Sequence, residues 1–184
     1  MKPARLHPPL QLEFAPGARR IPVASQLLLL VCAAALGLSL WALAHSLGAL
    51  LLRHALALHP QLPVAACVLL GPPNRGSHVA RRLSAAPVGR SVLACGLAHG
   101  LDGSAPDWPA HVPVRIIAGT RALGLGRLIP GLAVPNDGTV ALEETRLAGA
   151  TEPLVLDETH TGMLLSARVA EAVAEFLAAN AGPG

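Results

Sequence analysis

The stretch LSLWALAHSLGALLLRHAL, residues 38–56, decides how the rest of the chain is read. Leu38–Leu43 is a short apolar run that predicts a buried strand. His45–Ser46 then makes a tight turn, and Leu47 to about Leu58 recurs with helical spacing. A serine between a strand and a helix sits on a sharp turn, where neighbours two positions away approach the backbone closely. Small residues are expected there, and Ala44 and Gly48 provide them. The same geometry places a helix N-terminus under the serine and aims the Leu47 N–H at an anion forming beside it.

These residues also admit a reading that excludes the first. From Gln26 to Leu52 there is no Lys, Arg, Asp or Glu, and Arg19 and Arg20 precede the run. That pattern fits a signal peptide or one membrane-spanning helix near residues 26–43. The chain would then be a non-catalytic, membrane-anchored protein. In the soluble reading, Ser25 caps a buried helix that runs to Leu36 and ends at Gly37. Residues 1–25 show no periodicity and read as an irregular leader, and residues 26–184 as one domain.

Downstream the pattern is α/β. Val64–Leu70 is a continuous apolar run between Pro63 and Gly71, as in a strand buried on both faces. Gly71–Ser77 (GPPNRGS) is a loop on its turn chemistry. Residues 84–112 are rich in Gly, Pro, Ser and His and give no clear element. Val114–Ala118 is a further strand, Pro130–Gly138 a loop and Leu154–Leu156 a short strand. Apolar residues at helical spacing from about Met163 to Ala179 predict a closing amphipathic helix.

Two later residues complete a chemistry with Ser46. Asp137 lies in PNDGT (135–139), in a loop after the strand at 114–118, and His160 in DETHT (157–161), after the strand at 154–156. An acid and a histidine following a serine in this order, each on a loop beyond a strand, can orient and carry a proton for it. Asp157 and Glu158 also neighbour His160, but their place beside it in sequence makes Asp137 the better acid. Glu143 and Glu144 read as a solvated face, and Asn74 and Ser77 as parts of a wall near the site.

The blocks HSLGALLLRHAL, VLLGPPNRGSHVARRL, VRIIAGTRALG, PNDGTVALEETRL and ETHTGMLL resemble, in order, those of lipase/esterase-like α/β-hydrolases. In particular they resemble a bacterial group of acyl hydrolases with a G-P-P-N-x-G-S loop. The resemblance covers about residues 38–180. It implies an incomplete α/β-hydrolase fold, a mostly parallel sheet with flanking helices that lacks the family's first strands. It also implies a serine acyl hydrolase with Ser46 as nucleophile, His160 as base, Asp137 as orienting acid and Leu47 N–H as one oxyanion donor. A small acyl ester or a lipid is the implied substrate, and no cofactor or metal is needed. Residues 1–30 do not resemble the family, and no His-Gly pair precedes Ser46 to offer a second oxyanion donor. Absence of one such donor typically costs about 100- to 1000-fold in turnover, so the resemblance also raises the expectation of a truncated or inactive hydrolase.

Composition excludes other classes. Hydrophobic residues are 52% of the 184, but aromatics are 2% and Tyr is absent, so Leu, Ala and Val must fill the core. Residues 1–90 carry nine Lys/Arg and one acid, and residues 91–184 five Lys/Arg and ten acids. The basic residues are scattered and lack aromatic partners for base stacking, which argues against nucleic acid. Cys32, Cys67 and Cys95 show no CxxC spacing and no adjacent histidine, which argues against a zinc site. Cys32 and Cys67 lie in apolar runs, as buried thiols do.

Overall fold

The structure, a computed structural model, describes residues 40–181. Four strands form one sheet in the order β1-β2-β3-β4: Leu40–His45, Val64–Leu70, Val114–Gly119 and Leu154–Leu156. Every pairing is parallel, with His45 beside Leu70, Leu70 beside Ile117 and Gly119 beside Leu156. All four strands therefore end along the same edge. This is an α/β fold with a parallel sheet and helices on its faces.

Five helices follow or separate the strands: α1 (Leu47–Leu58), α2 (His78–Leu83), α3 (Pro87–Gly96), α4 (Leu142–Thr145) and α5 (Ala167–Ala179). Strand side chains alternate in direction, and the core divides accordingly. Leu69 and Ile116 pack with Ala49 of α1, and Cys67 packs with Leu56. Val68, Leu70 and Ile117 point the other way, onto Met163 just before α5 and Val169 within it. Short aliphatic side chains at full burial do the work that aromatics do elsewhere.

The apolar-run strands at 64–70 and 154–156 and the helix at 47–58 have the expected limits, and the strand at 114–118 gains Gly119. The strand before Ser46 departs from expectation. It runs to His45, and it is not buried on both faces: Trp41 is 53% and Leu43 58% exposed. Among the described residues β1 is a sheet edge, and only its Ala42 and Ala44 side packs against the α1 layer. The closing helix starts later than expected, at Ala167, because Ser166 caps it by accepting from Val169 N–H and a 3-10 turn occupies Gly162–Leu165.

Because Leu40–Leu43 is strand, no helix runs through Leu43, and the span expected at 26–43 does not form over those residues. Its remainder, with the leader at 1–25 and the helix expected to end at Leu36, lies outside the described residues. No helix among the described residues is long and apolar enough to cross a membrane.

The unassigned stretch 84–112 contains α3 and an irregular helical turn, Leu97–Leu101, broken at His99 and Gly100. None of the α3 residues is fully buried. Cys95 there is exposed, and His99, one helical turn on, brings Nδ1 to 3.6 Å from its Sγ. The cysteine does have a histidine neighbour after all, because four residues apart is adjacent on a helix. No group of three or more such side chains among the described residues could hold a metal.

Burial pushes the Cys67 thiol up to about 12, whereas Cys95 faces solvent. Since the thiolate is the reactive form, iodoacetamide at neutral pH should alkylate Cys95 and spare Cys67 in the folded chain, as read by peptide mass spectrometry. Replacing Ile117 by Ala should cost about 2–5 kcal/mol in chemical denaturation, because its side chain is fully buried.

Candidate active site

Each site residue expected from the sequence lies at the edge where the strands end. Ser46 follows β1 with φ 53° and ψ −124°, and it is the one non-glycine residue with positive φ among those described. Such a conformation costs on the order of 1–3 kcal/mol and needs surrounding structure to hold it. Part of that hold is visible: Ser46 N–H donates to Leu70 C=O at 2.9 Å, tying the turn to the end of β2. The serine is α1's N-cap residue, yet its side chain does not cap the helix. Its hydroxyl makes no hydrogen bond to a described residue. The Leu47 N–H belongs to the first turn, whose donors lack partners within the helix.

Asp137 and His160 are brought together. The carboxylate is buried, and its Oδ2 lies 2.7 Å from His160 Nδ1. Oδ1 accepts from Thr139 N–H (2.9 Å) and Val140 N–H (2.7 Å). The His160 N–H donates to the Asp137 carbonyl at 2.9 Å. The acid is thus fixed by its own turn and in turn fixes the imidazole tautomer, with Nδ1 protonated and Nε2 left as acceptor. Asp157 and Glu158 are engaged elsewhere, with Arg121 (2.7 Å) and the Ser166 hydroxyl (2.6 Å).

Close approach at this edge falls on glycines the sequence did not single out. A Cβ on Gly71, whose φ is +50°, would lie 3.0 Å from both Asp137 Oδ2 and His160 Nδ1 and 2.9 Å from Met163 Cε. One on Gly119 would lie 2.8 Å from Asp137 Cβ and 2.3 Å from the Glu158 carbonyl. Gly71 follows β2 and Gly119 ends β3, so the bare backbone there makes room for the Asp–His pair. At Gly48, by contrast, a Cβ would meet Ala44 Cβ at 4.0 Å, an ordinary contact. The expected demand for glycine after the serine is softer than the turn alone suggests.

The GPPNRGS loop is a structural junction. Buried Arg53 of α1 donates to the carbonyls of Asn74 (3.0 Å), Ala105 (3.0 Å) and Pro106 (2.7 Å). Asn74 donates onward to the Thr145 carbonyl at 2.8 Å, and Ser77 caps α2 through Ala80 N–H. Glu144 is not on a solvated face. It is buried and accepts from the N–H groups of His78 and Ala141, while Glu143 is exposed as expected. Backbone-directed roles of this kind carry no spacing signal in sequence.

No protein-family profile matches this chain, and no curated protein does. Solved structures do match. The mature form of Bacillus licheniformis lipase BlEst2 aligns at a TM-score of 0.55 and 19% identity, over 84% of this chain and 71% of that one. Its propeptide form aligns at 0.58 and 18%, over 84% of this chain and 38% of that one. The likeness establishes a lipase-like α/β fold.

Gly71→Ala should lower stability by about 1–3 kcal/mol, the scale of a strained backbone position. Gly48→Ala, inside a helix, should be neutral or stabilising by up to ~1 kcal/mol. Chemical denaturation of the two variants beside the parent checks the contrast.

Proposed function

We propose that the chain is a serine acyl hydrolase of the esterase/lipase type, akin to the group with the G-P-P-N-x-G-S loop, in which Ser46, His160 and Asp137 form the triad. The observation that carries this reading is the buried 2.7 Å Asp137–His160 pair, which lies beyond the same sheet edge as a serine held at φ 53°. The lipase-like fold supports the same reaction class, and the order serine, acid, histidine along the chain agrees with it.

The chemistry follows from the groups present. Ser46 Oγ attacks the acyl carbon of an ester or thioester while His160 Nε2 takes its proton. Asp137 holds Nδ1–H and stabilises the imidazolium. The carbonyl oxygen becomes an oxyanion facing the Leu47 N–H. Collapse breaks the bond to the alcohol or thiol, which leaves with the proton from His160. Water, deprotonated by His160, then releases the acid from the acyl-serine and restores the hydroxyl. The apolar residues exposed near this edge, Leu47 and Leu164 among them, favour an acyl chain as the substrate's other part. As in the resemblance, residues 38–180 are read as the C-terminal portion of such a fold. Leu47 is then the oxyanion donor they supply.

A fluorophosphonate probe should label the parent and not Ser46→Ala. Absence of label on the folded parent would refute the triad. Asp137→Asn should reduce the labelling rate by about 10³- to 10⁴-fold, the scale seen when a triad acid loses its charge and the tautomer it imposes.

A further inference from the structure

The sheet order puts the serine and the histidine at opposite ends. Three strand spacings of ~4.8 Å separate β1 from β4, about 14 Å in all, yet the last residue of β1 touches the turn after β4. The His160 turn reaches back over the tips of β2 and β3, where Gly71 and Gly119 leave it room. Two of its ties run to the acid loop, through the His160 N–H and Nδ1. Neither ties it to the serine's strand.

The tie to that strand is His45. Its Nε2 lies 2.9 Å from the His160 carbonyl, and because a carbonyl only accepts, Nε2 carries the proton and donates. The two imidazole rings stand 4.6 Å apart, tilted by 45°. His45 is the last residue of β1 and is fixed in register against Leu70, whose carbonyl also holds Ser46. One short segment therefore sets the nucleophile's turn and grips the base's backbone.

We propose that His45 is a positioning residue, holding the His160 turn to the end of β1 so that the imidazole stands over Ser46. The inference rests on the reading of Ser46, His160 and Asp137 as a triad. It adds a role for a residue that takes no proton from the substrate.

The environment of His45 suits that role. Burial, the largest influence, holds it below the ordinary histidine range. The hydrogen bond to the His160 carbonyl opposes this, the His160 ring adds to it, and Asp137 opposes it. A neutral ring donates one N–H to the carbonyl and brings no second positive charge beside the imidazolium that forms on His160.

The test uses the full chain with His45→Phe, which keeps a ring and loses the N–H, and His45→Gln, which keeps a donor and loses the ring. The steady-state parameters on p-nitrophenyl butyrate and the NMR signals of the His160 amide and ring are compared with the parent. His45→Phe should move the His160 signals and cut kcat about five- to tenfold, the worth of one hydrogen bond, with KM nearly unchanged. His45→Gln should bring both back toward the parent. If His45→Phe does not fold, His45→Asn, whose donor is too short to reach the carbonyl, takes its place. Unmoved His160 signals would overturn the proposal, and so would moved signals with an unchanged kcat. A parent that neither hydrolyses the ester nor takes the fluorophosphonate would sink the triad reading instead. The NMR comparison would still decide whether His45 holds the turn.

Discussion

The buried bond between Asp137 and His160 imposes the heaviest demand on the rest of the structure. A carboxylate removed from water costs several kcal/mol unless its oxygens are satisfied, and both oxygens of Asp137 are: Oδ1 by two backbone N–H groups and Oδ2 by the imidazole. To deliver those partners the 135–140 turn must be tight, and the histidine turn must cross the sheet edge. The ends of β2 and β3 must also lack side chains. Gly71 and Gly119 meet the last requirement. The layer of Met163 and the α5 residue Val169, packed against Val68, Leu70 and Ile117, fixes the platform on which the histidine turn rests.

Parallel pairing explains why a site can be assembled from such distant segments. Each strand in a parallel sheet delivers its C-terminal turn to the same edge, so Ser46, the Gly71 loop and His160 all lie along it, and only the histidine turn has to cross it. Behind that edge the GPPNRGS loop and Glu144 lock α1, α2 and α4 together through buried hydrogen bonds to backbone groups. Arg53, with no carboxylate partner in its hydrogen bonds, is satisfied wholly by carbonyl and amide oxygens.

What could be read in the sequence was what burial and turn chemistry write locally. Val64–Leu70 is bounded by Pro63 and Gly71 and fully apolar, so its limits were legible to the residue. The α3 segment was not, because a helix with no fully buried residue needs no strong apolar stripe, and Gly89 and Gly96 blur what there is. β1 was read as buried because Trp41 and Leu43 are apolar, and apolarity alone does not say which side of a strand is covered. The acid and the histidine stood out by their order after the serine. The contacts of Gly71, Glu144 and His45 did not, because each acts on a backbone group or a neighbour far away in sequence.

The contact between His45 and His160 joins residues 115 positions apart. During synthesis the serine's strand and helix emerge before their partner β2, but His160 arrives only with the last quarter of the described chain. Contacts of such separation carry a large loop-closure cost and form late. A folding chain thus holds an ordered serine turn for a time before the buried Asp137–His160 pair is in place.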